Sequence, residues 1–244
     1  MEKFYLTTAI PYVNAAPHLG HVLEFVQTDV IARYQKSRGR EVALVTGADE
    51  NSLKNVQAAE KQGITASELC GRNSAIFKGM AHKVGLSFTS FRRTSDREMH
   101  WPGVQRLWEL CNKKGDIYRK TYSGLYCVGC EAFYEPEELV GGVCPEHKTA
   151  PEKIDEENYF FRLSKYQREL ERLIETDELG IVPETRKNEV LSFIRGGLKD
   201  FSISRSVARA KGWGVPVPND PNQIEYVWFD ALGTYITGIG YGTD

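Results

Sequence analysis

Apolar and polar residues recur along the first hundred positions with two different periods. The run "KFYLTTAI" is rich in aromatic and β-favouring side chains and closes at Pro11, the pattern of a first strand. From about His18 to Ser37, the apolar positions Leu19, Val22, Leu23, Val26, Val30, Ile31 and Tyr34 recur at steps of three and four. That spacing predicts an amphipathic helix, and Gly39 stands where it should stop. "EVALVTG" is short and almost uniformly apolar, as in a parallel strand covered on both faces. These three segments make a βαβ unit. The amphipathic "NSLKNVQAAEKQG" ends on Gly63, and "TASE", Thr65 to Glu68, has the spacing of a capping box ahead of a helix to about Val84. The alternation predicts an α/β fold with a doubly wound parallel sheet.

A further helix is predicted from about His100 to Lys114. After Gly115 the rhythm stops: "DIYRKTYSGLYCVGCEAFYEPEELVGGVCPEH" reads as short strands, tight turns and cysteines, the character of an insertion. "PEKIDEEN", residues 151–158, is polar and acidic. "YFFRLSKYQRELERLIE" then predicts a helix with solvated charges, and "NEVLSFIRGGL" another. "IEYVWFDALGTYI" predicts a buried strand running into a helix, as though the α/β sheet resumed.

The chain has 244 residues, 41% apolar and 26% charged, the composition of a globular protein able to bury a sizeable core. A net charge of -2 gives no global basic field, so charge balance does not point to nucleic acid. No apolar run approaches the roughly 20 residues a membrane helix needs, and "MEKFYLTTAI" lacks the features of a secretory signal. A soluble, cytoplasmic protein with no membrane partner is expected. The odd count of five cysteines, three of them clustered, suits a metal or free thiols better than disulfides.

Cys127 and Cys130 form C-x-x-C, and Cys144 with His147 forms C-x-x-H, the pairs separated by 13 residues. Gly129 and Pro145 help each pair bend around an ion. Four such ligands fill a tetrahedral zinc shell with no open position, so the expected role is structural. Cys70 and Cys111 fall in helical patterns and read as buried small apolar residues.

Neither G-x-x-x-x-G-K-[ST] nor G-x-G-x-x-G occurs. The first strand-to-helix junction instead carries "NAAPHLGH", in which His18 and His21 lie one helical turn apart around Gly20. Two imidazoles at a helix N-terminus can donate hydrogen bonds to phosphate, and Gly20 lets a planar base or ribose approach; a simple histidine-containing turn has the same spacing. Asp49 follows the second strand, where an open α/β sheet binds ligands; it can hold an ammonium group or cap the next helix. Trp228, Phe229 and Tyr235 are either core or the walls of an apolar pocket.

"AIPYVNAAPHLGH" resembles the A-x-P-Y-x-N-x-x-x-H-x-G-H signature of methionyl-tRNA synthetases, a form of the HIGH motif of class I aminoacyl-tRNA synthetases. "TGADE", "RTSD", "GLYCVGCEAFY", "NYFFRLSKY", "SISR", "WGVPVP" and "YVWFDAL" follow in that family's order. The resemblance implies the class I synthetase Rossmann-like fold with an inserted zinc-knuckle connective domain. It divides the chain into 1–115, the first half of the nucleotide-binding catalytic domain; 116–222, the insertion with its knuckle at 127–147 and a helical return; and 223–244, a truncated start of the second half.

The implied activity is methionine:tRNA ligase, which joins L-methionine and Mg-ATP into methionyl-adenylate and passes the methionyl group to the terminal adenosine of tRNA(Met). By matching position, His18, Gly20 and His21 would hold ATP, with His18, His21 and Arg205 of "SISR" acting near the activated substrate. Ala9, Ile10, Tyr12, Asp49, Trp228, Ala231, Leu232 and Tyr235 would form the methionine site, with Asp49 on the ammonium. The implied cofactors are one structural Zn2+ and the Mg2+ that accompanies ATP. Two departures stand out. "DENS" replaces the family's "DEHG", so Asn51 and Ser52 stand for a histidine and a glycine, and no KMSKS-like lysine loop occurs before Asp244. With the helical anticodon-binding domain also missing, the chain reads as an N-terminal fragment. The alternatives are a non-catalytic RNA-binding or assembly module derived from a truncated synthetase, and a plain zinc-knuckle binding protein.

Overall fold

A computed structural model describes residues 1–130 and 132–243. The predicted βαβ unit is formed by β1 (Lys3–Thr7), α1 (Leu19–Ser37) and β2 (Glu41–Ala48), with β1 and β2 parallel in the register Lys3 to Glu41. Two helices follow, α2 (Leu53–Lys61) and α3 (Ala66–Lys83). As the "TASE" spacing predicts, Thr65 and Glu68 cap α3 reciprocally. The third strand, β3 (Ser90–Arg93), pairs parallel with β2 and gives the order β1-β2-β3. Sequence periodicity misses it because four residues with two arginines carry no strand pattern.

Helices cover both faces of this sheet, as the doubly wound reading expects. Ala48, Val13, Phe25 of α1 and Cys70, Phe77 and Ala81 of α3 form one buried cluster. On the other face, α7 (Val227–Thr237) packs on β2 and β3 and against α4 (Trp101–Lys113). A Cβ on Gly47 would stand 2.2 Å from the Arg92 carbonyl, which leaves that position of β2 to glycine.

Helix α1 has the expected extent but the opposite face inward. Its buried residues are Phe25, Asp29 and Ala32, whereas Leu19, Leu23, Val26, Val30, Ile31 and Tyr34 are exposed, Leu19 by 85%. The inward stripe contains a buried carboxylate, Asp29, that takes a salt bridge from Arg33 and a hydrogen bond from the Ser87 amide. Periodicity therefore picks out the more apolar stripe, which is the uncovered one. A contiguous apolar stripe of this length is the character of an interaction surface.

The middle of the chain is an antiparallel sheet. The strands β4 (Ile117–Cys127), β5 (Ala132–Tyr134), β6 (Glu152–Phe161) and β7 (Phe201–Ser202) lie in the order β5-β4-β6-β7. Strand β6 corrects the sequence reading at both ends: the acidic segment 152–158 is strand, and so are Tyr159 to Phe161, which the helix prediction had claimed. Its carboxylates are tolerated because the strand pairs with β4 over ten residues and leaves one face to cations; Glu157 meets Arg119 at 3.2 Å. The helices α5 (Gln167–Glu175) and α6 (Glu184–Arg195) close a small core of Ile174, Leu191, Ile194 and Leu198.

The last strands, β8 (Ser204–Ser206) and β9 (Gln223–Glu225), pair antiparallel with each other and not with the parallel sheet. The expectation that "IEYVWFD" resumes that sheet is thus not met: three residues of β9 make a ribbon with the "SISR" segment, and only α7 rejoins the α/β layer. Glu225 of β9 is 2% exposed with neither carboxylate oxygen hydrogen-bonded, and burial raises its pKa well above the usual carboxylate range. A raised folded-state pKa adds stability that is complete below the unfolded value and is lost as pH climbs toward the folded one. Glu225→Gln is therefore expected to raise the thermal midpoint at pH 8 and leave it nearly unchanged at about pH 4, where both states are protonated. Parallel thermal melts at the two pH values check this.

Candidate functional site

The chain leaving β1 and the N-terminus of α1 form a turn whose hydrogen bonds are made by the two histidines. His18 is the N-cap: its Nδ1 accepts from the Gly20 amide at 3.1 Å, while His21 Nδ1 accepts from the His18 amide at 3.2 Å. Each ring thus uses Nδ1 as an acceptor, which puts the proton of the neutral imidazole on Nε2. Two Nε2–H donors therefore face away from the backbone. The rings lie 3.9 Å apart, and His21 also meets the edge of Phe77 at 5.1 Å. Burial lowers the His21 pKa, the neighbouring His18 lowers it further, and Glu24 opposes them, so His21 is a neutral donor at pH 7. Gly20 has a local reason to be glycine, since a Cβ there would lie 2.9 Å from the His18 ring.

Asp49 stands at the carboxyl end of β2, 5% exposed. Its amide donates to the Pro11 carbonyl at 2.9 Å, and it forms an isolated parallel bridge with Tyr12. The turn beyond it is held by Asn55, whose side-chain amide donates to the Asp49 and Glu50 carbonyls at 3.0 and 2.8 Å. Glu50 points the other way, into a buried network with Ser74, Arg93 and Ser95. Ser52 caps α2 through the Asn55 amide.

Helix α7 brings the distant aromatic segment to the same place. Trp228 Nε1 donates to Tyr12 Oη at 2.9 Å across 216 residues of sequence, and Tyr5 Oη donates to the Tyr235 carbonyl. Burial raises the Tyr235 pKa, aided by the Glu24 and Asp49 carboxylates and opposed by the Ile10 amide, which puts Ile10, Asp49 and Tyr235 in one neighbourhood. Glu24 of α1 reaches back to the Ala9 amide at 2.6 Å. Ala231 is buried, whereas Trp228 and Leu232 are 53% and 61% exposed, so this wall is open to solvent. Phe229 turns away into the core against Trp108 at 5.3 Å, which settles one of the two sequence alternatives for it.

Arg205 of β8 is 8% exposed and lies between the rings of Tyr126 and Tyr226, at 5.0 and 4.6 Å. Tyr226 in turn stacks beside Trp228 at 6.4 Å. Arg205 also lines a cleft of about 620 Å³ with Tyr118, Tyr122, Phe133 and Lys199. Tyr226 and Asp230 are the contributors that sequence reasoning passed over. Asp230 carried a signal, a carboxylate inside an otherwise apolar helical run; Tyr226 carried none.

The four knuckle ligands converge. The ligand atoms of Cys127, Cys130, Cys144 and His147 all lie within 4.8 Å of one another, with Cys130 Sγ 3.4 Å from Cys144 Sγ and 3.2 Å from His147 Nδ1. Ligand atoms around a tetrahedral zinc are separated by roughly 3.3–3.8 Å, given bonds of about 2.0–2.3 Å, so the residues present fit such an ion. A Cβ on Gly129 would stand 2.4 Å from the His147 ring, which reserves that position for glycine. Burial raises the Cys130 thiol, while at Cys144 the His147 amide and the neighbouring thiols outweigh burial and lower it, opposite shifts that mark closely coupled sulfurs; a metal needs all of them as thiolates. Cys70 is a buried free thiol pushed up to about 12, mainly by burial, in keeping with an inert core residue. Among the described residues, no helix is long and apolar enough to cross a membrane.

The family model described as tRNA synthetases class I (M) matches residues 4–153 and 134–244. The chain is 45% identical to a methionine–tRNA ligase of Brucella suis, over 98% of this chain and 47% of that protein. It is 41% identical to the Thermotoga maritima ligase, over 98% of this chain and 38% of that one. Its structure is similar to a crystal structure of Mycobacterium tuberculosis methionyl-tRNA synthetase bound by methionyl-adenylate, with a TM-score of 0.92 at 43% identity, covering 98% of this chain and 48% of that one. The chain therefore spans about half the length, or less, of these relatives.

Proposed function

This chain belongs to the class I (M) tRNA synthetases, and from that premise we propose that it carries the methionine-activating half of a methionine:tRNA ligase. The observation that carries the reading is the Trp228–Tyr12 hydrogen bond, which closes α7 over the β1 and β2 strand ends beside Asp49 and the histidine turn. Asp49 is the counter-ion for the substrate ammonium. Trp228, Ala231, Leu232 and Tyr235 of α7, with Ala9, Ile10 and Tyr12, enclose the thioether. His18, Gly20 and His21 receive ATP, which arrives with Mg2+.

In the first step a methionine carboxylate oxygen bonds to the α-phosphorus of ATP while the bond to the bridging oxygen breaks, and that electron pair leaves on pyrophosphate. Negative charge then grows at the α-phosphate, where the His18 and His21 Nε2–H groups can donate to it; Arg205, held between the rings of Tyr126 and Tyr226, is the cation assigned to the activated substrate. No side-chain nucleophile is required, because phosphoryl chemistry of this kind is carried by positioning and charge stabilisation. In the second step a hydroxyl of the terminal adenosine of tRNA(Met) attacks the methionyl carbonyl and AMP departs. Residues 1–115 and 223–244 supply most of this site, and 116–222 is the insertion, from whose return Arg205 comes. The cytoplasm, where translation substrates meet, is the matching location.

Cys127, Cys130, Cys144 and His147 would hold one Zn2+, which when bound cross-links the β4–β5 turn to the loop before β6. Zinc of this class contributes folding free energy directly. Protein purified without chelator is expected to hold one equivalent, and Cys144→Ser less than a fifth as much. Removal of the ion should lower the thermal midpoint by about 5 °C or more, the scale of losing more than about 1 kcal/mol. Elemental analysis paired with melts checks this. Zinc-free protein of unchanged stability would remove the site.

The activity itself is tested by exchange of labelled pyrophosphate into ATP, with and without L-methionine. The assay uses a polypeptide in which this chain is joined to the counterpart of its relatives' second half. Exchange that requires methionine supports the reading, and exchange indifferent to it contradicts the reading.

A further inference from the structure

Asn51 lies in the turn between β2 and α2, 7% exposed. Its Nδ2 donates to the Thr94 carbonyl at 3.0 Å and to Asp230 Oδ2 at 2.8 Å. A carbonyl and a carboxylate only accept, so both must be served by the amide nitrogen, and the orientation of the side chain is fixed. This is the position where "DEHG" sequences carry histidine. A neutral imidazole has one N–H and can serve only one of the two acceptors; the asparagine amide serves both at every pH.

Asp230 is fully buried in the first turn of α7. At the other end of that helix the Thr237 hydroxyl lies 2.8 Å from His100 Nδ1, and the Thr237 carbonyl accepts from Arg92 at 2.9 Å. Between these anchors α7 carries Trp228, Ala231, Leu232 and Tyr235. Its C-terminal end is tied to β3 and the start of α4, and its N-terminal end to the same turn that presents Asp49, two residues before Asn51.

We propose that Asn51 is a positioning residue: by bridging Thr94 and Asp230 it sets the first turn of α7 against the end of β2, and so fixes the gap between Trp228 and Asp49. The inference rests on the reading of that gap as the methionine site. The titratable groups around Asn51 are Asp230 on α7, Glu50 beside it in the chain, Arg97 across one small cavity, and Arg205 and Glu225 across another; His100, the N-cap of α4, lies behind Asp230. His100 is held down to about 4, chiefly by burial, and stays neutral above that.

The test uses fluorotryptophan-labelled protein, with the Trp228 fluorine resonance assigned through Trp228→Phe. Asn51→Ala is expected to move that resonance. Asn51→His should restore it at about pH 5, where the imidazolium carries two N–H groups, and not at about pH 8, where it carries one. Wild type, with the same surrounding groups, serves as the reference at both pH values. Titration with L-methionine is expected to show affinity about tenfold weaker for Asn51→Ala, as for a buried carboxylate that loses one hydrogen-bond donor, with Mg-ATP affinity unchanged. If the wild-type protein takes up no methionine, the reading of the pocket fails while the fluorine spectrum still decides the role of Asn51. A Trp228 resonance indifferent to Asn51→Ala, or a moved resonance with unchanged methionine affinity, overturns the proposal.

Discussion

His21→Ala is expected to slow methionyl-adenylate formation by about 100-fold or more, the usual effect of removing one donor aimed at developing charge. Methionine affinity should change less than about threefold, because the ring serves the phosphate and not the amino acid. The asymmetry follows from the cap. His21 uses Nδ1 on the His18 amide, which leaves Nε2–H as its donor, and its lowered pKa keeps it neutral at pH 7. Single-turnover rates with saturating methionine, set beside equilibrium methionine binding, check both halves. An equal loss in rate and affinity would mean that the substitution has collapsed the turn. His21→Asn, which keeps a donor and a backbone-facing acceptor, is then expected to recover part of the rate.

Asp49→Asn is expected to act on the opposite quantity. A buried carboxylate facing an ammonium forms a charge pair whose truncation typically costs about 2–5 kcal/mol, so methionine binding should weaken by about 100-fold or more. Asp49 is 5% exposed and held by the Pro11 carbonyl and the Asn55 bridge, so the amide should be accommodated without unfolding α2. Mg-ATP binding should be little changed. Isothermal titration with each substrate separates these outcomes. Retained methionine affinity would remove Asp49 from the ammonium site.

The parts of this site that were legible in the sequence are those encoded by short-range spacing. Two histidines three apart after a strand, and paired metal ligands around Gly129 and Pro145, fold locally, so their spacing survives into three dimensions. Asp49 was legible as the end of an apolar strand. The Asn51–Asp230 bridge spans 179 residues and depends on how α7 docks, which no local pattern records. Helix α1 is the more instructive miss. Periodicity located the helix, but which stripe is covered depends on its neighbours, and Asp29 is buried because Arg33 and Ser87 satisfy it. Strand β6 was hidden for a related reason, its charges being matched by Arg119 on β4 and by Arg209 in the turn after β8 rather than by exposure on a helix.

The central claim is that the Asp49, α7 and histidine-turn assembly activates methionine. Pyrophosphate exchange into ATP reads this most directly, in the joined polypeptide and its Asp49→Asn and His21→Ala variants. Exchange is expected to appear only with L-methionine, to be absent with L-leucine, and to fall in Asp49→Asn through a higher methionine KM and in His21→Ala through a lower kcat. Exchange supported equally by leucine, or unaffected by both substitutions, would contradict that claim.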